Sequence, residues 1–291
     1  MTETLTIGKA LNLGLRKAME DDGKVVLMGE DIGKLGGVFR ITDGLQKDFG
    51  EARVVDTPLA EAGILGTAVG LAMRGYRPVC EIQFDGFVYP AYNQIVTQVA
   101  KIHARSRGRM PMPIVIRIPF GGGIGAVEHH SESPEAYFAH TAGLKVVAVS
   151  TPADAYWGIQ QAIASPDPVV FFEPKRRYWE KGEVDPDGSP DPLFGSRVVR
   201  GGDDVTVLAY GPMVKTALQA ADAVAEEGRS LEVVDLRTLS PLDLDPVYES
   251  VRRTGRCVVV HEAAVTLGLG AEIAARVTEH CFHSLEAPVL R

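Results

Sequence analysis

The sequence predicts an α/β protein, with a doubly wound parallel sheet in its first part and a second, smaller α/β unit after it. Two patterns carry this expectation. Short runs rich in Val, Ile and Leu alternate with longer helical patterns, the order that βαβ units require. A polar stretch from Lys181 to Pro192, rich in Pro and Gly and without periodicity, divides the 291 residues into a longer and a shorter part.

In the first part the candidate strands are Val25–Met28, Val54-Val55, Arg77–Glu81, Ile114–Ile118, Lys145–Val149 and Val169–Phe172. The helical candidates Ile7–Glu20, Pro58–Met73, Pro90–Ser106 and Pro152–Ala164 are long enough for right-handed crossovers above a parallel sheet. After the polar stretch the alternation restarts, with strands at Val205–Tyr210, Leu231–Asp235 and Cys257–His261 and helices near Val214–Glu227, Asp245–Arg253 and Ala271–His280. The expected domains are residues 1–181 and 196–291, joined by a linker at 182–195.

Composition narrows the function classes. An apolar fraction of 45% and a charged fraction of 23% are those of an ordinary globular chain. A formal net charge of −8 argues against wrapping nucleic acid, which needs a basic stripe. Cys80, Cys257 and Cys281 lack C-x-x-C spacing, so neither a disulfide framework nor a zinc site is indicated, and a reducing cytoplasm is expected. No apolar run reaches the roughly 18 residues of a membrane span, and the start Met1-Thr2-Glu3-Thr4 lacks a signal-peptide layout.

The best pointer to chemistry is Glu61. It heads a stretch, Ala62 to Met73, that has no other ionisable side chain. Thr57 is the expected helix cap and Pro58 suits the first turn, which puts Glu61 about one turn inside. A helix apolar on all sides is expected to be buried. Gly63, Gly66 and Gly70 each cost roughly 1 kcal/mol of helix propensity and make sense where another backbone packs close. Burial of Glu61 beside such an interface would raise its pKa. The alternative is a first-turn carboxylate that complements the helix dipole.

Other candidates are weighed the same way. Gly121-Gly122-Gly123-Ile124-Gly125 follows a strand, but Val127-Glu128-His129-His130-Ser131 does not start a helix, so the dinucleotide fingerprint fails and a loop for close backbone approach is expected. His129 and His130 are neighbours that in extended backbone would point to opposite sides, with one facing a cleft. His130 is the proton-transfer candidate; the alternative is an ordinary surface histidine. Phe84, Phe87, Tyr89 and Tyr92 cluster where a parallel sheet presents its ligand face, either to stack on a flat heterocycle or to fill the core. No G-x-S-x-G elbow, P-loop or H-E-x-x-H occurs.

Five segments in order look familiar: Asp56-Thr57-Pro58-Leu59-Ala60-Glu61-Ala62-Gly63, Glu81-Ile82-Gln83-Phe84, His130-Ser131-Glu132-Ser133-Pro134-Glu135, Phe171-Phe172-Glu173-Pro174-Lys175 and Val234-Asp235-Leu236-Arg237-Thr238. Together they resemble the β subunit of the thiamine-diphosphate-dependent E1 component of 2-oxo acid dehydrogenase complexes. Phe171–Lys175 and His261-Glu262-Ala263 look closer to the branched-chain type than to the pyruvate type. The resemblance implies a pyrimidine-binding domain followed by a transketolase C-terminal-type domain, incomplete at its end. It implies that Glu61 hydrogen-bonds the aminopyrimidine of thiamine diphosphate, that Phe87 packs on that ring and that His130 moves protons. It further implies a monovalent cation, K+, on the main-chain carbonyls of Met112, Ile114, Val115, Ala162, Ser165 and Asp167. The Gly-Asp-Gly segment that holds Mg2+ and diphosphate is absent from this chain. The resemblance assigns that half to an α subunit, in an assembly of two α and two β chains serving an E2 lipoyl acyltransferase. A noncatalytic scaffold and a self-contained transketolase-like enzyme are the rival readings.

Overall fold

A computed structural model describes residues 1–291. Its strands in chain order are β1 (Glu3–Thr6), β2 (Val25–Gly29), β3 (Val54–Asp56), β4 (Arg77–Glu81), β5 (Val115–Phe120), β6 (Lys145–Ala148), β7 (Val169–Pro174), β8 (Lys181–Val184), β9 (Arg197–Arg200), β10 (Val205–Ala209), β11 (Leu231–Asp235), β12 (Thr238–Ser240) and β13 (Cys257–Val260). Seven of them form one sheet in the order β12-β6-β7-β5-β4-β2-β3, and four form a second in the order β13-β10-β11-β9. The large sheet is parallel apart from β12. The small sheet is parallel apart from β9.

Helices on both faces explain why β2, β5 and β7 are buried at every residue and read as apolar runs, interrupted only by Arg117 in β5 and Glu173 in β7. On one face the Ile7–Asp21 and Pro152–Ala164 helices close a core of 26 buried residues. Each starts at a threonine whose hydroxyl accepts a backbone N–H, Thr6 from Lys9 and Thr151 from Asp154, both at 3.1 Å. Where they cross, a Cβ on Gly14 would lie 2.6 Å from the Tyr156 carbonyl oxygen. On the other face the core of 40 residues includes Phe120 and Phe172 of the large sheet and Leu208, Val234 and Val259 of the small one. The two sheets therefore share one hydrophobic core. A hydrogen bond and an ion pair reinforce the junction: the Ser150 hydroxyl donates to Asp235 at 2.5 Å, and Arg197 pairs with Asp154 at 2.8 Å. No helix is long and apolar enough to cross a membrane.

Several expectations change. The helix expected from Pro58 begins at Glu61, so the glutamate is its first residue rather than one turn inside. Thr57 does not cap it, and its hydroxyl oxygen is buried without a partner. The helix is not buried all round either. Ile64, Leu65, Ala68 and Ala72 face the core, whereas Ala62, Gly63, Thr67 and Gly70 are exposed, and a Cβ on Gly70 would meet nothing within 4 Å. The close backbone inferred from the glycines is thus not supplied by this chain. The expected Pro90–Ser106 helix runs as Tyr89–Gln94, a π-helical turn Ile95–Val99 and a final turn Ile102–Arg105. Within 182–195 the chain is not all linker, because β8 pairs antiparallel with β1. From the second unit, β12 returns to the edge of the large sheet.

The two glycine environments make opposite predictions. Gly14→Ala is expected to lose about 1–3 kcal/mol, since backbone is the obstacle. Gly70→Ala in the unassembled chain is expected to gain about 0.5–1 kcal/mol from helix propensity. Urea unfolding of both variants checks the pair; equal stability of Gly14→Ala and the parent would contradict the packing.

Candidate functional site

In the order of the large sheet, β2 leads outward to β3, and the next strand in sequence, β4, lies on the other side of β2. The chain therefore reverses direction between β2 and β4, and ligands of open α/β sheets bind in the crevice at such a point, beyond the carboxyl ends of the strands. Three polar groups stand there. Glu30 follows β2, Gln83 follows β4, and the Thr57 to Glu61 segment follows β3. The Gln83 amide donates to the Glu30 carbonyl oxygen at 3.4 Å, bridging the crevice. The Thr57 N–H donates to the Gly29 carbonyl at 2.9 Å and the Gly33 N–H to the Asp56 carboxylate at 2.6 Å, tying the loops after β2 and β3 together.

Glu30 was not singled out from the sequence. Its side chain is buried, yet neither carboxylate oxygen has a hydrogen-bond partner. Burial raises its pKa, the neighbouring charges of Glu61 and Asp31 raise it further, and the nearby Ala60 backbone only partly opposes them. An orphaned buried carboxyl costs free energy unless something outside this chain bonds it. Glu61 itself is half-buried at the start of its helix.

Across the crevice the aromatic cluster divides. Phe84 and Phe87 meet edge to face with centroids 5.9 Å apart, and the His130 ring lies 4.2 Å from Phe84 and 5.2 Å from Phe87. Tyr89 and Tyr92 instead turn to Tyr137 and Phe138 on the following helix, Glu135–Ala139. His129 and His130 do not point to opposite sides. They sit in a single 3-10 turn, Glu128–His130, with ring centroids 4.4 Å apart. His129 is exposed, whereas the Nδ1 atom of His130 is buried with no partner. Gly121–Gly125 forms no helix start, as expected from its context.

The floor of the site is charged and dry. Arg117 on β5 donates twice to Glu173 on β7, at 2.6 and 2.9 Å, and once to Glu81 on β4 at 2.5 Å. The Tyr178 hydroxyl completes Glu173 at 2.6 Å. Removing one member of such a set would cost about 3–5 kcal/mol, because it strands a buried charge. Nearby, Lys175 pairs with Asp85, both fully buried. Burial pushes Asp85 up and Lys175 down, and each partner pulls the other back.

At the opposite end of β5 the two segments named for a monovalent cation meet. The Met112 N–H donates to the Pro166 carbonyl at 3.0 Å and the Val169 N–H to Ile114 at 2.9 Å. The Ser165 carbonyl lies 3.5 Å from the Arg77 guanidinium, and the Asp167 carbonyl accepts the Ser165 hydroxyl at 3.0 Å. Burial would raise the Asp167 carboxyl, but Lys145 and His103 outweigh it and hold it below its ordinary value.

Comparison with known proteins agrees with this architecture. Residues 3–180 match the family described as transketolase, pyrimidine binding domain, and residues 195–291 match transketolase, C-terminal domain. A solved structure titled split gene transketolase, inactive beta4 tetramer, shares the fold with a TM-score of 0.80 at 24% identity, over 98% of this chain and 88% of its own. The fold and the crevice thus define a transketolase-type chain. Among curated relatives, the pyruvate dehydrogenase E1 component subunit beta of Leifsonia xyli subsp. xyli is 64% identical, over 99% of this chain and 86% of its own length. The 3-methyl-2-oxobutanoate dehydrogenase subunit beta of Mycobacterium tuberculosis is 55% identical, over 100% of this chain and 84% of its own. The chain belongs to the family of E1 β subunits of 2-oxo acid dehydrogenases, whose cofactor is thiamine diphosphate.

A carboxyl whose pKa is higher folded than unfolded costs stability above its unfolded value, and that cost disappears as it protonates. Glu30→Gln is therefore expected to stabilise the unliganded chain by about 1 kcal/mol near pH 8 and to change little below about pH 4. Denaturant titrations at the two pH values measure this; a loss of stability near pH 8 would show that Glu30 has a partner.

Proposed function

We propose that this chain is the β half of a thiamine-diphosphate-dependent E1 that decarboxylates a branched-chain 2-oxo acid of the 3-methyl-2-oxobutanoate type. It then delivers the acyl group to the lipoyl arm of an E2 acyltransferase. The observation that carries the reading is the pair of glutamates at the sheet's switch point, one of them buried without a partner, at the same carboxyl ends of the strands where an aromatic pair follows β4 and a histidine follows β5. An aminopyrimidine ring suits that set. It offers polar ring atoms to carboxyl oxygens and a flat face to Phe87.

In this reading Glu61 holds a proton at a ring nitrogen of the cofactor, and Glu30 sits behind it as a second carboxyl in the same dry crevice. Phe87 packs against the ring face and excludes water. His130, whose Nδ1 has no protein partner, moves protons at the substrate. When bound, thiamine diphosphate supplies the nucleophilic carbon that adds to the 2-oxo acid and the electron sink that lets carbon dioxide leave. The diphosphate and Mg2+ are assigned to an α partner, which supplies the Gly-Asp-Gly segment that this sequence lacks. The exposed small-residue face of the Glu61–Met73 helix supports such a partner, because Gly63 and Gly70 leave room for its backbone. Two α and two β chains form the proposed assembly. The carbonyls of Met112, Ile114, Val115, Ala162, Ser165 and Asp167 are hard oxygen donors suited to K+.

Phe171–Lys175 and His261–Ala263, the segments behind the branched-chain preference, serve the floor and the domain junction. Glu173 binds Arg117, and Glu262 pairs with Arg176 at 2.9 Å. The second reading, pyruvate as substrate, is favoured by the relative at 64% identity.

Two measurements on the chain reconstituted with its α partner test these statements. Glu61→Gln is expected to lower kcat by about 10²–10⁴-fold with the assembly still formed, and an undiminished rate would remove the proposed role. The ratio of kcat/KM for 3-methyl-2-oxobutanoate and pyruvate is expected to favour the former; a clear preference for pyruvate selects the second reading.

A further inference from the structure

The turn that carries His130 has little to hold it. Residues 123–129 are exposed, and the hydrogen bonds of the turn itself are local, from His130 N–H to Val127 at 3.0 Å and from Ser131 N–H to Glu128 at 2.8 Å. Anchoring begins two residues later. The Glu132 N–H donates to the Asp85 carboxylate, and the Glu132 carbonyl accepts the Gly121 N–H at 2.8 Å, so that the backbone of this residue is fixed on both sides. Asp85 is in turn held by Lys175, which stands at the end of β7, two residues beyond the Glu173 that binds Arg117. The neighbour of Asp85 matters as well. A Cβ on Gly86 would collide with the His129 carbonyl, so the histidine turn rests directly on this glycine.

From this geometry we propose that Asp85 is a positioning residue for His130: its side-chain oxygen fixes the otherwise loose histidine turn through the Glu132 N–H, while Lys175 balances its buried charge. A buried ion pair is weak evidence for stability by itself, because apolar residues of the same volume often serve as well. Here the carboxylate has a further duty that an apolar residue cannot take over, since its loss leaves the Glu132 N–H without an acceptor. Phe84 couples the pair to the histidine. Its ring lies 4.2 Å from the His130 ring and its centroid 5.9 Å from the Lys175 ammonium. Asp85 thus sets the height of the turn, through Glu132, and Phe84 is the wall against which the imidazole leans.

The inference rests on the proposed proton-transfer role of His130, and the experiment separates the two. In the reconstituted α and β assembly with thiamine diphosphate, Asp85→Ala is expected to speed amide exchange of the 127–133 segment by about tenfold or more. It is also expected to lower kcat by about 10–100-fold, with KM for the 2-oxo acid nearly constant, because a misplacement of about 1 Å suffices for such a loss. Combining Asp85→Asn with Lys175→Met removes both charges but keeps an acceptor for the Glu132 N–H. This double variant is expected to restore exchange protection, with kcat within about threefold of the parent. If Asp85→Ala fails to assemble, the double variant and Lys175→Met alone carry the comparison. Unchanged exchange in the 127–133 segment of an assembled Asp85→Ala, or a folded double variant that stays as fast-exchanging and slow in turnover as Asp85→Ala, overturns the inference. His130→Ala in the same assay isolates the other claim: full activity there removes the histidine role, while the exchange data still decide whether Asp85 holds the turn.

Discussion

Two carboxyl groups, Glu30 and Glu61, come together at the point where the large sheet's strand order reverses, near enough for the charge of Glu61 to raise the pKa of the buried Glu30. The rest of the site is arranged around that unresolved repulsion. Every other buried carboxylate nearby has a partner: Glu81 and Glu173 share Arg117, and Asp85 has Lys175. Glu30 alone keeps two free oxygens out of water. Beneath the crevice the charges are satisfied and inside it one buried carboxyl is not, which marks Glu30 as a candidate ligand contact.

The same contrast runs through the surrounding architecture. Below the crevice, strands buried on both faces and an Arg-centred network give a stiff base. Above it, a glycine-rich loop and a short histidine turn are exposed and tied down at a few points. The single core shared by the two sheets adds rigidity between the units, so the carboxyl ends of β2, β4 and β5 form a fixed frame. The exposed face of the Glu61–Met73 helix is the complement of this frame. Its core side is filled with Ile64, Leu65, Ala68 and Ala72, while its outer side carries small residues with space above them.

Much of the fold was legible in the sequence because parallel strands covered on both faces are mostly apolar, as β2, β4, β5, β6 and β7 are, with Glu81, Arg117 and Glu173 as buried charged exceptions that pair with one another. The strands missed were β1, β8, β9 and β12, each three or four residues long and at least partly polar, paired with distant segments that local pattern does not reveal. Glu61 stood out as a lone carboxylate before an apolar stretch. Its exact depth in the helix was misjudged because Thr57-Pro58 imitates a helix start, while the chain runs three residues further before it coils. Glu30 was invisible for a different reason. In Gly29-Glu30-Asp31 it looks like an ordinary turn acid, and only the strand order brings it beside Glu61. Asp85 and Lys175 were likewise unremarkable charges until the fold buried them together, 90 residues apart in sequence.

The central claim is that these two carboxyls are completed by a heterocycle at a subunit boundary. A structure of the chain assembled with its α partner and thiamine diphosphate tests this most directly. The expected result is an aminopyrimidine within hydrogen-bond distance of the Glu61 carboxyl, with the Phe87 ring against its face and Glu30 no longer open. A cofactor bound elsewhere, with Glu61 turned to bulk solvent in the complete assembly, would contradict it.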